Sequence, residues 1–133
     1  MDGAMTTAPV ARLLIIEDNE EVLRSLKKYF TKKNYSVVTA SNGLDGLKAY
    51  ENDPQRFDLI ITDLVMPNIS GVAIISLVKK KSPETPVIAI TGWGEHPEAL
   101  ATEAQADLVL EKPIELDKMD KFISDLLDKR QPT

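Results

Sequence analysis

The chain has 133 residues, 43% hydrophobic and 28% charged, which is enough for one domain with a substantial core. Its net charge of -5 gives no general affinity for polyanions, so direct nucleic-acid binding is not expected. The absence of cysteine removes disulfides, thiolate metal sites and cysteine nucleophiles, and no apolar run approaches the roughly 18 residues of a membrane span. The first dozen residues also lack the charged start and apolar centre of a signal peptide, so a cytoplasmic protein without membrane insertion is expected.

In chain order, residues 1–10 are small, polar and aperiodic, and read as a lead-in to a domain spanning 11–129. Leu13 to Ile16 reads as a short buried strand that ends in Glu17-Asp18-Asn19. Asn19 suits the cap of a helix whose inward face is Val22, Leu23, Leu26 and Phe30, and Asn34 supplies a left-handed stop. A second strand, Tyr35 to Ala40, leads through Ser41-Asn42-Gly43 into a helix from Leu44 to Glu51, with Leu47 and Tyr50 inward and Gly46 weakening it.

The run Leu59 to Ile61 is β-branched and continuously apolar, as a strand buried on both faces reads, and it stops at Asp63 before Met66-Pro67-Asn68 and Gly71. A third helix is expected over Gly71 to Lys80, with Val72, Ile75 and Val78 inward. Pro86 to Thr91 is the fourth strand, followed by Gly92 and an Ala-rich helix at about Pro97 to Ala104. Leu108 to Leu110 is the fifth strand, closed by Glu111-Lys112-Pro113. A last helix has Leu116, Met119, Phe122, Ile123 and Leu126 on one side, and 130–133 form a tail. Five alternations of strand and helix, without repeat or linker, predict an α/β fold: a doubly wound, five-stranded parallel sheet with five helices on its two faces.

The carboxyl ends of strands in such a sheet share one edge, which is where open α/β sheets place their chemistry. There Glu17, Asp18, Asp63, Thr91 and Lys112 would gather. Clustered carboxylates repel one another unless a cation joins them, and an all-oxygen set favours a hard ion such as Mg²⁺. A lysine and a hydroxyl opposite would spread the charge of a phosphoryl group, and a central carboxylate can act as the nucleophile. Each residue alone has an ordinary structural explanation: a helix cap, a strand-end hydroxyl, a surface charge. Five together need a common one.

These residues resemble the receiver domain of two-component response regulators. Glu17-Asp18, Asp63 with Met66-Pro67-Asn68 and Gly71, Thr91-Gly92, and Lys112-Pro113 occur in that family's order and spacing, over about residues 11 to 129. The resemblance implies a flavodoxin-like strand order 2-1-3-4-5 and a cis Lys112–Pro113 bond. It implies Asp63 as phosphoacceptor, with Thr91 and Lys112 binding the phosphoryl group. Mg²⁺ would be held by Asp18, Asp63, the backbone carbonyl of Val65 and, through water, Glu17. Implied partners are a histidine kinase or phosphotransfer protein as donor and an output target that the sequence does not name. The domain would catalyse its own phosphorylation and dephosphorylation without being an enzyme in the ordinary sense.

Three positions depart from the family pattern. Glu17 stands where Asp is commoner, Gln105 where a turn glycine is usual, and Val109 where an aromatic switches. Without a ring at Val109, signalling is expected to run mainly through the loop Thr91 to Pro97, which contains Trp93. His96 reads as a surface residue. Three rival readings are weaker. A dehalogenase-type phosphatase needs a second Asp where Val65 stands. A flavin site needs a phosphate loop where Glu17-Asp18 would repel one. An inert receiver-like interaction module has no need of the acidic set.

Overall fold

Five apolar runs form the strands β1 (Arg12–Ile16), β2 (Ser36–Ala40), β3 (Leu59–Asp63), β4 (Val87–Thr91) and β5 (Leu108–Glu111). Among the described residues four helices join or follow them: α1 (Glu20–Lys32), α2 (Gly43–Asn52), α3 (Gly71–Lys81) and α4 (Leu116–Arg130). The computed structural model describes residues 8–53, 56–92, 101–102 and 104–130. All pairings are parallel and the order is β2-β1-β3-β4-β5, as the resemblance implies. Of the helix expected at about Pro97 to Ala104, only Ala101 and Thr102 are described as helical. Trp93 and His96 lie outside the described residues.

The strand period of two separates two cores. Leu13, Ile15, Leu59, Ile61, Ile88 and Ile90 face α1 and α4, where Leu26, Phe30, Met119, Ile123 and Leu127 meet them. Leu14, Ile16, Ile60, Val87 and Ala89 face the other way, against Ile74, Ile75 and Val78 of α3, with Leu47 and Tyr50 of α2 at the margin. Helices therefore cover both faces, and β3 and β4 are buried along their whole length.

Two inward faces differ from expectation. In α3 Ile74 is buried beside the expected Ile75 and Val78, and Val72 is only half-buried. In α4 Leu127 enters the core, while Phe122, beside the edge strand β5, stays 37% exposed.

Asn19 caps α1 as the sequence predicts, and α2 and α3 are capped in the same way. Asn19, Asn42 and Ser70 accept hydrogen bonds from Val22, Asp45 and Ala73, each worth about 1 kcal/mol. Asn34 is left-handed, with φ of 68°. Gly46 has a packing reason: a Cβ there would lie 2.5 Å from Cδ1 of Ile16, so the glycine lets α2 sit tightly on β1.

Candidate metal and phosphoryl site

Strand register brings the predicted residues to one edge. Ile16 pairs with Thr62, Asp63 with Ile90, and Thr91 with Glu111. One residue past these partners stand Glu17, beside Asp63, and Lys112, beside Thr91. Lys112 N–H donates to the Thr91 carbonyl at 2.9 Å, which holds the turn after β5, and Lys112–Pro113 is cis. At the end of β3, Leu64 N–H reaches the Ile90 carbonyl and Gly71 N–H closes back on the Leu64 carbonyl. A Cβ on Gly71 would overlap the Asp63 carbonyl, so only glycine lets α3 start so close to the strand end.

The side chains converge. Lys112 Nζ lies 3.2 Å from Asp63 Oδ2 and 3.0 Å from Glu17 Oε1, with hydrogen-bond geometry to Asp63 and to Glu17 Oε2. Glu17 Oε2 also accepts from Asn19 N–H at 2.9 Å, so Asn19 both caps α1 and orients this carboxylate. Val65 N–H donates to Asp63 Oδ1 at 3.3 Å. Glu17, Asp63 and Thr91 are buried and Asp18 is exposed. One oxygen from each of Glu17, Asp18 and Asp63 lies within 4.8 Å of the others, and this is the one such carboxylate group among the described residues. The cleft above them is lined by Asp18, Asp63, Val65, Met66, Gly92 and Lys112.

Electrostatics at this edge are strained. Burial pushes the Glu17 carboxyl up from 4.5 to about 7; the Asn19 N–H opposes the shift and the Asp63 carboxylate adds to it. For Lys112, burial works against the charged form, but the hydrogen bond to Glu17 and the fields of Asp63 and Glu17 prevail and raise it. Among the described residues two buried oxygens, Thr91 Oγ1 and Glu17 Oε1, have no hydrogen-bond partner, although the second is ion-paired with Lys112 at 3.0 Å. A buried polar atom left unpaired costs about 1–3 kcal/mol, which native structures rarely accept without a use for it. An excess of buried anionic oxygen, with no nitrogen or sulfur ligand, fits a hard divalent cation. The hydroxyl of Thr91 has a proton to donate to an anionic oxygen.

All five predicted side chains thus lie at one edge, and Val65 borders the cleft. Sequence reasoning missed the Lys112–Glu17 contact, which joins residues 95 positions apart. It also missed the second role of Asn19, whose position directly after two acids was the available signal. Val109 is half-buried against the core under α2 and α3.

Comparison with known proteins agrees with this geometry. The family model described as "Response regulator receiver domain" matches residues 13–124. The chain is 34% identical over 123 residues to the transcriptional regulatory protein GlrR of Escherichia coli, covering 92% of this chain and 27% of that protein. It is 35% identical over 125 residues to the response regulator ArlR of Staphylococcus haemolyticus, covering 92% of this chain and 55% of ArlR. The chain thus spans a quarter to about half the length of these relatives. A response regulator receiver domain protein from Clostridium thermocellum superposes with a TM-score of 0.84 at 30% identity, covering 91% of this chain and 97% of that one. A CheY-like receiver domain protein from Methanospirillum hungatei gives 0.84 at 26% identity, covering 93% and 97%.

Proposed function

This chain belongs to the response regulator receiver domain family, and on that premise we propose that it is a phosphoacceptor whose acceptor is Asp63. The observation that carries the reading is the buried Thr91 hydroxyl, without a partner among the described residues, on the same edge as a carboxylate cluster held by one lysine. That set suits a tetrahedral anion bonded to Asp63.

An Asp63 carboxylate oxygen attacks phosphorus, and the P–O bond of an acyl phosphate forms as the P–N bond to a donor phosphohistidine breaks. The departing imidazole nitrogen then takes up a proton. Lys112 pairs with the phosphoryl oxygens, and Thr91 donates its hydroxyl hydrogen to one of them. Burial of Asp63 keeps competing water from much of the carboxylate. Glu17, Asp18, Asp63 and the Val65 carbonyl would hold Mg²⁺. When bound, the ion neutralises charge on the phosphoryl oxygens and the carboxylates together. Glu17 keeps Lys112 at the site, and Asn19 keeps Glu17 in place.

The receiver domain spans 11–129, works in the cytoplasm, takes its phosphoryl group from a histidine kinase or phosphotransfer protein, and passes the change to an output partner. Phosphoramidate with Mg²⁺ tests the reading: intact mass should show one added phosphoryl group in wild type and none in Asp63→Asn. An equal gain in the variant would place the acceptor elsewhere. No gain in wild type would favour an inert interaction module.

A further inference from the structure

Helix α2 is seated unlike the other three. Its only buried residues are Gly43 and Gly46, whereas α1, α3 and α4 each bury large apolar side chains. Its own inward side chains, Leu47 and Tyr50, are only half-buried. Backbone therefore makes the close contacts of α2, and these fall beside the site. A Cβ on Gly43 would lie 2.5 Å from the Ile69 carbonyl oxygen, in the loop that follows Asp63. A Cβ on Gly46 would run into the side chain of Ile16, the residue before Glu17. A third contact lies at the entry to the same corner, where Glu17 N–H donates to the Ala40 carbonyl at 3.0 Å. Residues 40–46 thus touch both segments that carry the buried carboxylates.

The loop that meets Gly43 is fixed at its ends and lightly held between them. Leu64 N–H and Gly71 N–H pin the ends. Between them, among the described residues, Val65 N–H reaches Asp63 Oδ1 at 3.3 Å and Ile69 N–H reaches the Pro67 carbonyl. The second bond closes a three-residue turn around Asn68, whose φ is 72°, and a turn of this hand is rare and strained. What packs against Ile69 therefore matters to where the loop sits. The far end of α2 is tied to α3, by Tyr50 Oη to Ser82 Oγ at 2.7 Å and by Glu51 to Lys81 at 2.9 Å. At the near end Gly43 and Gly46 weaken the helix. A reciprocal pair holds it: Asp45 N–H donates to Asn42 Oδ1 at 2.8 Å, and Asn42 Nδ2 donates to Asp45 Oδ2 at 2.9 Å.

We propose that the corner of residues 40–46 positions the metal and phosphoryl site, and that Asn42 is the positioning residue that keeps the corner seated. The inference rests on the reading of the chain as a phosphoacceptor. With α2 capped, Gly43 backs the Ile69 carbonyl and Gly46 backs Ile16, so the Val65 carbonyl and Glu17 stay within reach of one ion. With the cap lost, the first turn of α2 opens locally and both segments gain room to relax away from the site. The coupling is reciprocal. What the cap does for the site, an occupied site does for the first turn of α2.

The test follows single-amide hydrogen exchange by NMR, and Mg²⁺ binding by calorimetry, in wild type, Asn42→Ala, Asn42→Ser and Tyr50→Phe. Phosphoramidate with Mg²⁺ should slow exchange at Gly46 and Leu47 of wild type about threefold or more. Asn42→Ala should speed exchange at these amides and raise the Mg²⁺ dissociation constant about two- to fivefold, a rise bounded by what one cap contributes. Serine caps as well as asparagine, so Asn42→Ser should restore both. Tyr50→Phe removes a hydrogen bond from the far end of the same helix and should leave the Mg²⁺ constant unchanged. Gly43→Ala presses directly on the Ile69 carbonyl and serves as a second variant, with Mg²⁺ weakened at least as much. Unchanged Mg²⁺ affinity in Asn42→Ala, with the first turn shown open by exchange, would overturn the proposal. Exchange at Gly46 that Asn42→Ala does not alter would overturn it too. So would an equal loss of affinity in Tyr50→Phe, which would reduce the cap to general stability. Exchange at Gly46 that ignores a phosphorylation complete by intact mass would also overturn it. Wild type that gains no phosphoryl group would instead defeat the phosphoacceptor reading, and the Mg²⁺ series would still decide the role of the corner.

Discussion

Glu17 is wholly buried, touches Lys112 and neighbours another carboxylate, and its carboxyl is pushed up from 4.5 to about 7. A carboxyl raised on folding binds its proton more tightly in the native state. Its contribution to stability is therefore full below the unfolded value and is lost as pH rises through the window from 4.5 to about 7. In metal-free buffer the wild type should lose more melting temperature across that window than Glu17→Gln, and parallel curves would refute the assignment. Gly46 offers a second test. Helix propensity alone predicts a gain of about 1 kcal/mol for Gly46→Ala. The added methyl would meet three atoms of the buried, β-branched Ile16 side chain, so a net loss of about 1–3 kcal/mol in urea unfolding is expected instead. A more stable variant would contradict the tight seat of α2 on β1.

Among the elements, the segment before β5 shows how the fold absorbs an unfavourable residue. Gln105 occupies the left-handed position with φ of 77°, and the turn keeps its hydrogen bonds, Gln105 N–H to the Thr102 carbonyl and Ala106 N–H to the Ala101 carbonyl. A left-handed β-carbon costs about 1–2 kcal/mol, so Gln105→Gly should stabilise the protein by about 1 kcal/mol, read from the urea midpoint at constant slope. The same comparison shows what is legible in a sequence. Strands β3 and β4 are read from continuous apolar runs, because both faces are buried and no alternation is needed. Caps at Asn19, Asn42 and Ser70 follow from local chemistry. Ile74 is missed and Phe122 misjudged because which helix residues turn inward depends on how the helix seats on the sheet, which periodicity does not contain. The gathering of the five site residues can be inferred from strand ends alone. The pairing of Lys112 with Glu17 cannot, because Glu17 reaches Lys112 only through the fold, and only its added length over Asp hints at it.

In the molecule as a whole, a two-faced α/β scaffold carries one charged edge whose repulsion is relieved by binding. Mg²⁺ held by the native cluster and not by the unfolded chain should raise the melting temperature, by about 2.7 kcal/mol in stability at a hundredfold excess over its dissociation constant. Asp18→Ala should remove most of that gain; a gain kept in full would put the ion elsewhere. The central claim is that Asp63 becomes an acyl phosphate, and its most direct measurement is chemical trapping. Wild type treated with phosphoramidate and Mg²⁺ is reduced with borohydride, which converts an aspartyl phosphate to homoserine, and its peptides are sequenced by mass spectrometry. The account predicts homoserine at position 63 alone, and only when donor and metal are both present. Homoserine at another aspartate, or none under any condition, would contradict it.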